Sequence, residues 1–315
     1  MSAIDSLIVD LRIADAIAEG QPVVALESTV IAHGLPRPTN IETARRLEAI
    51  VCEEGALPAT VGVIGGKLTV GLSDEQIDLL ANADDVRKLS VRDLSIAVAR
   101  EWNGATTVAS TMRIAHRAGI QVFATGGVGG VHRGALPDIS ADLPELARTP
   151  MIVVCSGAKI VLDLPATREW LETHSIPVVG YGCDEMPAFY SRSSDLPVDV
   201  RCDKPEEVVK IFRAQLEQRM ASALLVTVPV PAEAEVDRAL LEQVLDDSLA
   251  AAESEGITGR HLTPFLLARM SERSQGATLR ANIALLEQNA RVAAQIAHAL
   301  QQIESKLDAL NDAKR

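Results

Sequence analysis

An acid and an amine, each placed just past an apolar run, are the residues of this chain whose types point most directly to chemistry. Glu27 ends the run VVALE, and Lys159 follows MIVVCSGA. An acid at the carboxyl end of a parallel strand stands where α/β folds place ligands; a helix-capping or loop carboxylate is the plainer alternative. A lysine beyond a wholly apolar strand is partly withdrawn from water. Desolvation then lowers its pKa and exposes the neutral amine that a Schiff-base or carbinolamine nucleophile needs. The alternative is a lysine that snorkels to the surface. Lys88, in VRKLSVRDL, ends another possible strand and could hold a phosphate as a point charge, or could be a solvated lysine beside Arg87.

Residues 125–143, TGGVGGVHRGALPDISADL, combine a run of glycines with a histidine, an arginine and two aspartates. A glycine-rich loop lets backbone N–H groups approach an anion, and His132 and Arg133 add a donor and a cation. Aspartates so close to an anion repel it unless a metal or a cationic group intervenes. Asp138 could ligate a hard cation, since one carboxylate plus waters suits Mg²⁺ or Mn²⁺. Asp142 could cap a helix beginning near Leu143. Asn282, in LRANIALLEQNA, interrupts an apolar helical face; it either reaches into a pocket or fixes helix packing. His33, in STVIAHG, reads as a structural or exposed histidine. The loop lacks GxGxxG spacing and no GxxxxGK[ST] occurs, so neither dinucleotide nor ATP binding is expected.

The elements that must position these residues alternate. Strand-like runs fall at 22–26, 60–64, 121–124, 151–155, 177–180 and 223–228, several of them apolar throughout, as parallel strands covered on both faces require. Helical patterns occupy 40–53, 74–81, 107–118 and 205–219, and long alanine- and leucine-rich helices follow at 233–254 and 277–308. The expectation is a single domain over 1–315, α/β, layered α/β/α with a mixed, mostly parallel central sheet and a helical C-terminal segment.

Composition narrows the function. The 315 residues carry a net charge of −13 and are 47% hydrophobic but only 3% aromatic. An acidic chain without a basic stripe or stacking platforms is a poor nucleic-acid binder, so a phosphate site must be a local pocket. Cys52, Cys155, Cys183 and Cys202 are widely spaced and signal neither zinc nor a disulfide framework. No secretory signal and no membrane-spanning run is expected, which points to a soluble, cytoplasmic protein.

The chain resembles the pseudouridine-5′-phosphate glycosidase family, which has the indigoidine synthase A-like fold. The resemblance rests on ALESTVIAHGLPRPTNIETA (25–44), VRDL with NGATTVAST (91–94, 103–111), TGGVGGVHRG (125–134), DISADLPEL (138–146), VVCSGAK (153–159), GYGCDEMPAFYSRSS (180–194), TPFLL (263–267) and ANIALLEQNA (281–290), in the family's order. It implies reversible cleavage of the C–C glycosidic bond of pseudouridine 5′-phosphate to uracil and ribose 5-phosphate, a hydro-lyase reaction in the synthetic direction. It also implies one Mn²⁺ per subunit and a homotrimer. Carried over by residue, Glu27 is the proton donor and Lys159 the nucleophile. Lys88, Val108 and the triplet Ser140, Ala141 and Asp142 bind substrate, Asp138 binds the metal, and Thr125, His132 and Asn282 match pocket positions. The chain departs from the family in the short ALP loop at 135–137, in Cys183 of GYGCDE, in EGITGRHLTPFLL, which lacks a lysine before TPFLL, and in the Glu-Gln pair of LLEQNA.

Amine catalysis suits a carbon–carbon glycoside better than a carboxylate pair does, because the leaving uracil must be protonated on carbon. It requires an acid raised and an amine lowered in pKa. A bound metal or nearby Lys88 could help lower Lys159. Two other readings compete: a different Schiff-base lyase or aldolase acting on a sugar phosphate, and a non-catalytic sugar-phosphate sensor, which has no need for both Glu27 and Lys159.

Overall fold

A computed structural model describes residues 6–133, 138–257, 259 and 262–312, with side chains through 306. The ALP loop at 135–137 and Gly134, which ends TGGVGGVHRG, lie outside the described residues, as do Thr258, Arg260 and His261 of EGITGRHLTPFLL.

The central sheet runs in the order Leu7–Val9, Lys67–Val70, Leu57–Ile64, Val23–Leu26, Val122–Ala124, Ile152–Cys155, Leu224–Thr227, Val178–Tyr181, Val200–Cys202. Arg87–Leu89 and Gly104–Thr106 form a side branch on Leu57–Ile64. From Val23–Leu26 to Val200–Cys202 each neighbouring pair is parallel. Antiparallel pairs occur where Leu57–Ile64 meets Lys67–Val70 and Gly104–Thr106, which makes the sheet mixed. The sequence-predicted strands all form, within a few residues of their expected ends.

The strands Val23–Leu26, Val122–Ala124, Ile152–Cys155 and Leu224–Thr227 are buried at every position. Successive strand side chains point to opposite faces, so continuous burial means that both faces are covered, and the unbroken apolar runs are their sequence signature. The C-terminal helix Ala277–Asp312 packs on Val23–Leu26, Val122–Ala124 and Ile152–Cys155, between helices Thr39–Glu53 and Pro205–Glu217. Helix Val108–Arg117 packs on Val23–Leu26, Leu57–Ile64 and Lys67–Val70. Short strands such as Leu7–Val9, Lys67–Val70 and Val200–Cys202 carry too few residues to show a period, and the sequence does not announce them.

This topology fixes where chemistry can occur. Val23–Leu26, Val122–Ala124 and Ile152–Cys155 lie side by side and parallel. Their carboxyl ends therefore open at one rim, and Glu27, Thr125 and the loop leading to Lys159 follow directly.

Candidate active site

Glu27 is held by its neighbours in LESTV. Ser28 Oγ donates to the Val61 carbonyl at 2.6 Å and accepts from the Thr106 amide at 2.9 Å. Thr29 Oγ1 donates to the Thr106 carbonyl at 2.7 Å. These bonds anchor the strand end to its neighbours and leave the Glu27 side chain to reach the rim. Thr125 Oγ1 donates a short hydrogen bond to Glu27 Oε1. Thr125 itself is buried and is not among the residues lining the cavities described below; it touches Glu27 from the protein side.

Lys159 is set by pairing between two loops. The Ser156 amide donates to the Gly126 carbonyl at 2.9 Å, the Val128 amide to Gly157 at 3.1 Å, and the Lys159 amide to Val128 at 3.2 Å. The glycine stretch and the SGAK segment thus continue the contact between their parent strands beyond the sheet.

Packing demands the smallness of several glycines of TGGVGG. A Cβ on Gly127 would lie 2.7 Å from the Phe189 ring, and one on Gly130 would lie 2.3 Å from Thr167 Oγ1. The amides of Val128, Gly129, Val131 and His132 have protein acceptors, so these four are committed to the fold. Asp142 likewise departs from a simple helix cap. Its Oδ1 accepts from the Ala109 amide at 3.0 Å and its Oδ2 from the Gly129 amide at 2.8 Å, so it fastens the loop to the first turn of helix Val108–Arg117. Gly129→Ala tests this fit. Its Cβ would meet Ser140 Oγ at 2.2 Å and Asp142 Oδ2 at 2.8 Å, and the variant is expected to lose roughly 1–3 kcal/mol in urea denaturation.

One cavity of about 360 Å³ gathers Glu27, Lys88, Val108, His132, Asp138, Ser140, Ala141, Asp142 and Lys159. Sequence reasoning named all of these. It missed Thr29, Ser90, Arg92, Thr107, Ile139 and Thr263, which line the same cavity. Ser90 and Arg92 lie within the VRKLSVRDL segment already singled out, and Arg92 adds a second exposed cation there. Asn282 is absent from this cavity. It lines a smaller space of about 50 Å³ that shares Glu27, Thr29 and Lys159 with the first. It also borders a neighbouring cavity of about 410 Å³ that includes His33.

The charges are organised around Glu27. Burial pushes its carboxyl above the ordinary carboxylate range; the Lys159 ammonium and the Thr125 hydroxyl pull it down without cancelling that effect, and Asp142 adds to the rise. Lys88 is half-buried, and burial followed by the Lys159 ammonium pushes it below the ordinary lysine range, against opposing pulls from Asp142 and Glu27. A solvated surface lysine is therefore not what the structure shows. An acid raised by burial, set with two amines on one cavity, is the arrangement that suits proton transfer plus nucleophilic attack.

The profile of indigoidine synthase A-like proteins matches residues 12–299. The chain belongs to the indigoidine synthase A-like family. Its relatives in this family include the pseudouridine-5′-phosphate glycosidase of Herpetosiphon aurantiacus, 52% identical over 93% of this chain and 98% of the relative. The glycosidase of the same name from Caldanaerobacter subterraneus subsp. tengcongensis is 48% identical over 91% and 94%. Among solved structures, the prealnumycin C-glycosynthase AlnA in complex with ribulose 5-phosphate superposes with a TM-score of 0.88 at 41% identity, covering 95% of this chain and 98% of that one. An indigoidine synthase A-like protein of Thermotoga maritima gives 0.86 at 39% identity, covering 94% and 96%. Both solved structures share this chain's fold over nearly its whole length.

Proposed function

We propose that the chain catalyses reversible cleavage of the C–C glycosidic bond of pseudouridine 5′-phosphate, giving uracil and ribose 5-phosphate. The observation that carries this reading is the meeting of Glu27 and Lys159 at one polar cavity, with Lys88 facing the same space. Relatives named as glycosidases of this substrate, and a neighbour named as a C-glycosynthase in complex with a pentose phosphate, support it.

Protonated Glu27 gives its proton to the ring oxygen O4′ while the neutral Lys159 Nζ attacks C1′. The N–C1′ bond forms, the C1′–O4′ bond breaks, and the ribose opens. The proton that Nζ sheds on attack returns to Glu27, which can pass it to C5 of the base. The nitrogen lone pair then forms C1′=N as the C1′–C5 bond breaks and uracil leaves. Water hydrolyses the iminium to ribose 5-phosphate and free Lys159. Each well-placed proton transfer contributes roughly 10²–10⁴-fold.

Lys88 holds the phosphate end in this reading, while Ser140, Ala141 and Asp142 touch the sugar or base and Val108 lines the pocket. Lys88→Met is expected to raise KM for pseudouridine 5′-phosphate at least about 10-fold, the worth of one charge-assisted contact, with a smaller change in kcat; steady-state kinetics decides this.

A manganese ion belongs to the same proposal. Among the described residues no three His, Cys, Asp or Glu side chains gather as a protein-built metal cage. Asp138 is a single exposed carboxylate on the cavity wall. That donor set fits a hard cation that keeps most of its water and completes its shell with substrate oxygens. Asp138 would hold the ion, which would supply positive charge to those oxygens. Among the described residues no helix is long and apolar enough to cross a membrane. The homotrimer that the family resemblance implies, and the cytoplasmic setting expected from the sequence, belong to this reading.

The test is uracil release from pseudouridine 5′-phosphate by the purified chain, with manganese supplied or chelated. Release of uracil separates this activity from an aldolase or a sensor; a chain that binds ribose 5-phosphate yet releases no uracil under either condition would sink the proposal.

A further inference from the structure

Asn289 is fully buried in the C-terminal helix Ala277–Asp312. A buried amide needs partners, and an amide without them destabilises the fold. Its partners lie across the layer boundary. Nδ2 donates to the Thr125 carbonyl at 2.9 Å and lies 3.3 Å from that of Gly126. Ser156 Oγ stands 3.1 Å from Nδ2 and 3.3 Å from Oδ1. One side chain therefore grips the loop after Val122–Ala124 and the loop after Ile152–Cys155. The first loop presents Thr125 to Glu27; the second leads, three residues on, to Lys159. Close approach of the helix depends on Gly126, where a Cβ would meet Leu286 at 3.2 Å and Leu285 at 3.3 Å. Asn289 does not line the cavity that holds Glu27 and Lys159.

We propose that Asn289 is a positioning residue for bond cleavage: it clamps the two loops so that the Thr125–Glu27 pair and Lys159 keep their mutual placement. The proposal rests on the reading of Glu27 as acid and Lys159 as nucleophile. A helix-to-sheet tie of purely structural value would alter stability alone. A clamp also alters Glu27, because the Thr125 hydroxyl stabilises its carboxylate form. Loosening Thr125 weakens that bond and moves the alkaline limb of the rate profile, above which Glu27 is ionised, to higher pH.

The experiment measures kcat and KM for pseudouridine 5′-phosphate across pH, together with Tm, for wild type, Asn289→Ala, Thr125→Val, their double variant, Ser156→Ala and Ser222→Ala. Ser222 Oγ donates to the Ser175 carbonyl at the amino end of the sheet, away from the site, and serves as a control for lost stability. Asn289→Ala is expected to lower kcat about 10- to 100-fold, the cost of misplacing reacting groups by a fraction of an ångström to one ångström, with KM within about 3-fold. Its alkaline limb should move in the direction seen for Thr125→Val, and the double variant should fall little below the single ones, as coupled sites do. Should Asn289→Ala fail to fold, Ser156→Ala removes one arm of the clamp and is expected to move the limb the same way with a smaller loss. Ser222→Ala should leave the limb in place. A loss of kcat or Tm with an unmoved limb, fully additive losses in the double variant, or wild-type kcat in folded Asn289→Ala each overturns the proposal. A wild-type chain that does not turn over the substrate overturns the functional reading beneath it.

Discussion

Lys159→Arg is expected to abolish C–C bond cleavage, lowering kcat by about 10⁴-fold or more, as loss of a covalent nucleophile does, without unfolding the chain. Arginine keeps a positive charge at the rim, so contacts that need only charge survive. Its guanidinium stays protonated at any working pH and offers no lone pair to C1′. The structure makes this test sharp because two lysines face one cavity, and burial and its cationic neighbour push Lys88 toward the neutral form. Position decides between them. Glu27 and Lys159 also line the smaller space beside Asn282, which Lys88 does not reach. Borohydride added during turnover with ribose 5-phosphate should leave a stable adduct on the peptide containing Lys159, absent in Lys159→Arg and retained in Lys88→Met. An adduct on Lys88 would exchange the two roles.

Much of this arrangement is legible in the sequence because its parts obey simple rules. The buried parallel strands are unbroken apolar runs, and the residues just beyond them must stand at the sheet's carboxyl rim; that argument alone brings Glu27 and Lys159 together. What the sequence hides depends on tertiary contact. Nothing local says that Thr125 bonds Glu27, a partner 98 positions away. The glycines of TGGVGG look like an anion cradle, but the side chains that demand their smallness, Phe189 and Thr167, lie far along the chain. Asp142 reads as a helix cap because a helix does begin there, yet its carboxylate bonds the amides of Ala109 and Gly129. Asn282 draws notice as a polar break in an apolar helix, while Asn289, seven positions on and on nearly the same helix face, carries the more extensive hydrogen bonding. Only the packed loops reveal the difference.

Glu27→Gln separates catalysis from stability in one variant. Glutamine keeps the shape of the acid and can accept from Thr125, but it has no proton to give O4′ or C5. Cleavage is expected to fall by about 10²–10⁴-fold, and the alkaline limb of the wild-type profile should vanish. Stability should move the other way. Burial raises the Glu27 pKa above its reference value of 4.5, so between 4.5 and the folded-state value the native chain holds a proton that the unfolded chain has released. Stability therefore falls as pH rises through that window. Above it, wild type bears the full cost of a buried carboxylate, partly offset by Lys159 and Thr125. Glutamine carries no such charge. Glu27→Gln should show a Tm at least equal to that of wild type at pH 8, and the advantage should shrink on acidification toward 4.5. An active-site acid held at the expense of fold stability predicts this pairing of lower rate with higher Tm. A Glu27→Gln chain that cleaves at near wild-type rate rules out the acid. One that loses activity and also melts earlier at alkaline pH shows that the attraction of Glu27 to Lys159 outweighs the burial of its charge.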